Sequence, residues 1–190
     1  EYGSSGGIAM LNTVYQLKRP RQFEVVFKKI ELDGDHLLVR PTHLSICNAD
    51  QRYYQGIRPA EIMRKKLPMA LIHEGIGRVI YDPTDSFKAD DLVVMIPNLP
   101  SEQDEVIAEN YLRSSAFRAS GADGFLQEYV HTVPDRVVQL PEQINLSVAA
   151  FTELLSLSYH ALHSFFSLYH KRMNEDPVCG DGNVRYIKAH

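Results

Sequence analysis

Leu71-Ile72-His73-Glu74-Gly75-Ile76-Gly77-Arg78-Val79-Ile80 is the stretch from which the remainder of the chain can be read outward. It sets an imidazole and a carboxylate side by side, then two glycines within an apolar run of strand character. His73 suits a borderline ion such as zinc, and Glu74 offers an oxygen donor beside it. Neighbouring side chains on a straight strand point to opposite faces, so both can address one ion only where the backbone bends. The two glycines are the residues expected to permit that bend. A histidine at a strand end is more often a hydrogen-bonded structural residue, so the metal reading rests on the flanking chain.

Upstream lies Ser45-Ile46-Cys47-Asn48-Ala49-Asp50, a cysteine at a strand end followed by a polar turn. Downstream, Phe151-Thr152-Glu153-Leu154 sets a carboxylate at the opening of an apolar helix. Together with His73-Glu74 these segments resemble the zinc-dependent medium-chain dehydrogenase/reductase family. The resemblance implies a catalytic zinc held by Cys47, His73 and a carboxylate, with a replaceable water completing the shell. Glu74 and Glu153 both stand as candidates for that carboxylate. Burying Glu153 unpaired is costly, which favours a metal, while a first-turn carboxylate facing solvent is equally consistent with the helix dipole. Asp50 matches the family's aspartate behind the ligands, which orients the ligand histidine.

The chain has 190 residues, a net charge of −4 and 44% hydrophobic residues, enough for one good core. Lys and Arg are scattered, and the densest groups, Arg64-Lys65-Lys66 and Lys171-Arg172, are short, so no nucleic-acid partner is implied. No apolar run approaches bilayer length, no secretory signal is present, and no membrane role is expected. Two cysteines, Cys47 and Cys179, point to a reducing cytoplasm rather than a disulfide framework.

Along the chain, residues 1–9 read as a tag-like or disordered leader. Residues 22–32 and 36–46 read as strands, paired as a hairpin across Asp33-Gly34-Asp35. A short helix is predicted from Pro59 to Lys66, and strands at 69–72, 76–81 and 91–96. The polar excursion 97–123 holds a helix candidate near Val106. In many relatives of the resembled family this region carries a four-cysteine zinc lobe, but it has no cysteine here, so that structural zinc is not expected. Segments 124–130 and 136–141 resemble the closing barrel strands. Ser147 is the expected N-cap of a long apolar helix from Val148 to about Tyr169.

The fold expected is mainly β with helices: a GroES-like β-barrel catalytic domain over 10–150, then connecting helices and only the start of a Rossmann-type nucleotide-binding domain over 151–190. Cys179-Gly180-Asp181-Gly182-Asn183-Val184-Arg185 is like a dinucleotide fingerprint, with Gly180 and Gly182 as the cofactor-binding glycines, but Arg185 stands where the third glycine belongs.

Longer stretches narrow the resemblance: Arg19-Pro20-Arg21-Gln22-Phe23-Glu24-Val25, Ala49-Asp50-Gln51-Arg52-Tyr53-Tyr54 and Ala108-Glu109-Asn110-Tyr111-Leu112 are similar to the ribulose-5-phosphate reductases. These make ribitol 5-phosphate for teichoic acid or capsule polymers. The resemblance implies one catalytic Zn2+, NADPH, a phosphorylated sugar substrate, and as macromolecular partner a second copy or a cytidylyltransferase of the same pathway. The family's small hydroxyl residue two positions after the cysteine is replaced by Ala49, so Tyr53 or Tyr54 is the expected proton route. Arg52, Lys65, Arg113 and Arg118 have the charge to grip a phosphate.

Overall fold

The computed structural model describes residues 9–102, 112–173, 179–180 and 183–184. Its first element is one for which the sequence predicts nothing. Strand β1 (Ala9–Arg19) turns through Pro20 and Arg21 into β2 (Gln22–Glu31), and the two pair antiparallel from Ala9↔Glu31 to Arg19↔Gln22. Proline presets one turn dihedral, and Arg21 supplies a φ of 63°. The expected leader lies outside the described residues except for Ala9, which opens β1.

The inward face of β1 carries Asn12, Val14 and Gln16, all buried. Two amides on that face break the apolar alternation by which a strand is recognised. Both are satisfied: Asn12 Nδ2 donates to Gln127 Oε1 at 2.9 Å and to Tyr129 O at 2.8 Å, and Gln16 Nε2 donates to Asp123 Oδ1 at 2.8 Å.

Seven further strands carry the rest of this region: β3 (Leu37–Ser45), β4 (Met69–Ala70), β5 (Glu74–Tyr81), β6 (Leu92–Met95), β7 (Asn98–Leu99), β8 (Ala116–Phe117) and β9 (Val130–Thr132), with β10 (Val137–Gln139) after them. The hairpin expected between residues 22–32 and 36–46 does not form. Asp33 Oδ1 accepts the N–H groups of Asp35 and His36, a local turn that sends the chain into a different sheet. There β3 pairs with β5 and β9, and β2 pairs with β1 instead.

The resulting sheets run β10-β6-β5-β3-β9 and β2-β1-β4, with β7-β8 as a small ribbon. This mainly β half-barrel is the architecture expected. Its core gathers Leu17, Leu37, Val39, Val79, Met95 and Phe125, each essentially inaccessible. Burial of such a side chain stabilises by roughly 1.5–3 kcal/mol.

Neither Gly75 nor Gly77 has a positive φ, and the β3–β5 register shifts between Pro41 and His43, opposite Gly77 and Ile76. The two glycines let β3 come close: a Cβ on Gly77 would sit 2.5 Å from Val39 Cγ1 and 2.6 Å from Arg40 O. The bend lies one residue before His73, at Ile72, whose φ is 71°.

The polar run after Cys47 is helix α1 (Asn48–Gln55), ended by Gly56 at a φ of 75°. Helix α2 (Ala60–Lys66) follows Pro59 as predicted, with Arg64, Lys65 and Lys66 in its last turn, where cations suit the dipole. The helix candidate near Val106 falls largely outside the described residues. The expected single helix from Val148 is instead α3 (Leu146–Ala149) and then α4 (Thr152–Met173). Asn145, not Ser147, caps α3 by accepting the Val148 N–H at 3.1 Å.

The chain divides into two compact units, Glu1–Thr152 and Glu153–His190. The second holds α4 from Glu153 onward, with the Tyr159 and His163 rings stacked one turn apart. It also holds a short antiparallel pair, β11 (Cys179–Gly180) with β12 (Asn183–Val184). Among the described residues no helix is long and apolar enough to cross a membrane.

Candidate metal centre

The end of β3 delivers Cys47 to the N-cap of α1, where its backbone is still extended. Asp50, three residues on, reaches back into that junction. Its Oδ2 accepts the Cys47 backbone N–H at 3.1 Å and the Cys47 thiol at 3.1 Å, and its Oδ1 accepts the Ile72 N–H at 2.8 Å. One buried carboxylate therefore ties the cysteine turn to the residue preceding His73.

Ile72 holds a left-handed backbone, unfavourable for a β-branched side chain by about 1–2 kcal/mol. Strain of this kind persists where the surroundings over-determine it. Beyond Asp50, the segment is clamped by three backbone bonds: Gly124 N–H to Ala70 O at 2.8 Å, Leu126 N–H to Leu71 O at 3.2 Å and Phe125 N–H to Ile72 O at 2.6 Å. The clamp needs glycine at 124, because a Cβ there would collide with the Leu71 and Ile72 carbonyls. The turned backbone brings the His73 ring and Glu74 to one side.

Cys47 Sγ lies 3.9 Å from His73 Nε2, which lies 3.9 Å from Glu74 Oε1. The three donor atoms all fall within 4.8 Å of one another. Zinc bonds of about 2.3 Å to sulfur and 2.0–2.1 Å to nitrogen, set tetrahedrally, put those donors roughly 3.6 Å apart. The cluster fits a zinc ion with a small contraction. Glu74 is deeply buried and His73 partly so, with side chains 4% and 14% exposed. A buried carboxylate beside an imidazole and a thiol is costly unless a cation joins them. Burial pushes the Cys47 thiol up to about 11, and the Asp50 carboxylate beside it adds to the effect. Its proton thus sits on sulfur and points at Asp50 until a metal displaces it.

The edge of Phe117 packs on the His73 ring, with centroids 5.2 Å apart and planes at 64°. Asp50 thus reaches His73 through the Ile72 backbone, while an aromatic contact packs the ring itself. Tyr53 lies in the core, 3% exposed, with the Arg58 guanidinium 4.3 Å over its ring. Tyr54 instead stacks on Phe23 and lines a cleft of about 670 Å³ that also reaches Ile46, Asp50, Leu71 and Ile72. Glu153 opens the second unit, Gly180 lies in β11, and Gly182 is outside the described residues. Arg118 is buried and bonded to the carbonyls of Asp123 and His131, a structural rather than phosphate-gripping setting. Neither the left-handed backbone at Ile72 nor the 124–126 clamp is announced by the residue types around it; Gly124 is the one position whose side-chain-free backbone the clamp requires.

The alcohol dehydrogenase GroES-like domain profile matches residues 33–142. The chain belongs to that family. It is 58% identical over 178 residues to a ribulose-5-phosphate reductase of Bacillus spizizenii, covering 94% of this chain and 52% of that protein. It is 51% identical to ribulose-5-phosphate reductase 2 of Staphylococcus aureus, covering 95% of this chain and 53% of that one. The crystal structure of S. aureus TarJ in complex with NADPH superposes with a TM-score of 0.67 at 39% identity, over 84% of this chain and 43% of that one. The chain thus spans about half the length of the curated relatives it matches.

Proposed function

We propose that the chain is the catalytic, zinc-holding part of an NADPH-linked reductase that converts ribulose 5-phosphate to ribitol 5-phosphate. The observation that carries this reading is the convergence of Cys47, His73 and Glu74 on one point, in a chain so similar to ribulose-5-phosphate reductases. Cys47 and His73 would hold the zinc, with Glu74 or Glu153 as the exchangeable carboxylate. A bound zinc ion supplies Lewis-acid polarisation of the substrate's C2 carbonyl.

The chain's own residues then have separate tasks. Asp50 fixes the cysteine turn and the Ile72 bend, so the donors are pre-positioned. The proton that the new alkoxide takes up comes through a tyrosine; Tyr53 or Tyr54 fills that role, and Tyr54 is the one lining the cleft. NADPH, when bound, would supply the hydride for C2, and the tyrosine route would supply the proton for its oxygen, so that the balanced products would be the polyol phosphate and NADP+. Gly180 and Gly182 are the proposed cofactor contacts. The reading places the reaction in the cytoplasm, supplying teichoic acid or capsule precursors. A second copy or the cytidylyltransferase that consumes the product is the implied partner.

A second reading is a catalytically silent, zinc-binding GroES-like module. It is favoured by the antiparallel pairing of Cys179–Gly180 with Asn183–Val184, where a dinucleotide fingerprint calls for strand, glycine turn and helix. The deciding experiment is NADPH oxidation by the zinc-loaded 190-residue chain with ribulose 5-phosphate, beside Cys47→Ser. Turnover abolished by the substitution supports the reductase. Zinc bound without turnover supports the silent module, and no zinc at Cys47 overturns both.

A further inference from the structure

Far from Cys47, at the other end of β3, a second group of donors converges. Asp33 and His36 come from the turn before β3, and His131 from β9, the edge strand of the five-stranded sheet. Pairing of β3 with β9 sets Leu38 opposite His131. One donor atom from each of the three side chains lies within 4.8 Å of the others. The nine residues of β3, at about 3.3 Å each, separate this group from the first.

Two of the three donors, Asp33 and His131, already have the protonation that a metal requires. Asp33 is held below the usual carboxylate range by hydrogen bonds from the His36 ring and from the Asp35 and His36 backbones. Burial, then the neighbouring His36, lowers His131 and keeps it neutral. The His36 ring nitrogen Nδ1 sits 2.8 Å from Asp33 Oδ1, and the two imidazoles stack with centroids 4.4 Å apart. His131 Nε2 is sealed from solvent with no hydrogen-bond partner among the described residues. Such an atom, left unpaired, bears its full desolvation penalty.

We propose that Asp33, His36 and His131 form a second metal site, for a divalent ion of the zinc type, that clasps the edge strand β9 to the start of β3. Two imidazoles and one carboxylate are a donor set suited to zinc, cobalt or nickel. Tetrahedral bonds of about 2.0–2.2 Å set donors roughly 3.4 Å apart. The group closes to that spacing by a swing of the His36 side chain, which is 37% exposed and gives up its stack on His131 to do so. His36 and His131 line a cavity of about 410 Å³ that also meets Arg118 and Thr132, with room for a water ligand. The site is independent of the Cys47 centre and shares no donor with it.

Cobalt distinguishes the two centres, because only a thiolate ligand gives an intense near-ultraviolet charge-transfer band. The 190-residue chain is titrated with Co2+ and with Zn2+ at micromolar concentration, alongside Cys47→Ser, His36→Gln and His131→Gln. The expected result is two equivalents in the unaltered chain. Cys47→Ser keeps one and loses the intense band; His36→Gln and His131→Gln each keep one and retain the band. His36→Gln is the partly exposed substitution that guards against misfolding, with circular dichroism of the metal-free variants as the check. Cobalt binding to Cys47→Ser that is absent or only millimolar overturns the proposal. So does binding to it that both histidine substitutions leave unchanged. A wild-type chain binding one equivalent without the intense band would uphold this site and sink the Cys47 centre instead.

Discussion

Asp50 Oδ1 accepts the backbone N–H of Ile72 at 2.8 Å, across 22 residues of chain and in a fully buried setting. The same carboxylate holds Cys47 through its other oxygen. The two halves of the donor cluster are therefore set in register by one side chain that is not itself among the three donors. The aspartate three residues after the cysteine is a structural bridge first.

Replacing it by alanine should therefore have two separable effects. Asp50→Ala leaves the Ile72 N–H buried without an acceptor and frees the Cys47 turn. The expected loss of stability is about 1.5–3 kcal/mol, the range for a hydrogen bond to a charged group. Zinc affinity should fall roughly 10–100-fold, the usual cost of losing a group that orients ligands. Urea unfolding of the metal-free chain and zinc competition titration measure the two. Unchanged zinc affinity would show that Asp50 acts on the fold alone.

Ile72 tests whether the bend is strained. Leu71 and Ile72 are similarly buried, at 4% and 6% exposed, but only Ile72 has a positive φ. Glycine at either position loses the buried side chain; at 72 it also relieves the left-handed penalty. Ile72→Gly should therefore cost about 1–2 kcal/mol less than Leu71→Gly in chemical denaturation. Equal losses would mean that the left-handed backbone is not a stored cost.

Gly124→Ala meets carbonyl oxygens of Leu71 and Ile72, which cannot step aside without moving His73. Overpacking of this kind costs typically about 1–3 kcal/mol, and zinc binding should weaken with it. Gly34→Ala is the matched control, since nothing lies within 4 Å of a Cβ there. Thermal unfolding of both variants, with and without zinc, checks the contrast.

The grouping of Cys47, His73 and Glu74 is legible because its chemistry is written in residue types: a thiol, an imidazole and an adjacent carboxylate need few neighbours to announce a candidate ligand set. What holds them is not. Ile72 gives no sign of a left-handed backbone, since a β-branched residue is the last expected there. Strand β1 was hidden because Asn12 and Gln16 occupy its buried face and find partners more than a hundred residues away. Helix α1 was hidden for a related reason: it buries only Asp50 and Tyr53, too few apolar positions to show a helical period. The glycines at 75 and 77 also serve strand approach, a property of the partner β3 rather than of their own segment. The turn at Asp33 was recognised, but turn residues do not say which strand lies beyond them.

Asp123 joins β1, β2 and β4 and makes the fold acid-sensitive. Burial raises its carboxyl, but hydrogen bonds from Lys28, the Ala70 N–H and Gln16 outweigh that and hold it below the usual range. Because the folded value lies below the unfolded one, its stabilisation is complete above about pH 4. It is lost as pH falls through the folded value, where the unfolded chain has already taken up its proton. Asp123→Asn should therefore lower stability at neutral pH and leave a shallower decline on acidification than the unaltered chain shows. Urea midpoints measured from pH 6 down to pH 3 read both effects. Parallel curves for the two proteins would mean that Asp123 contributes through packing and not through its charge.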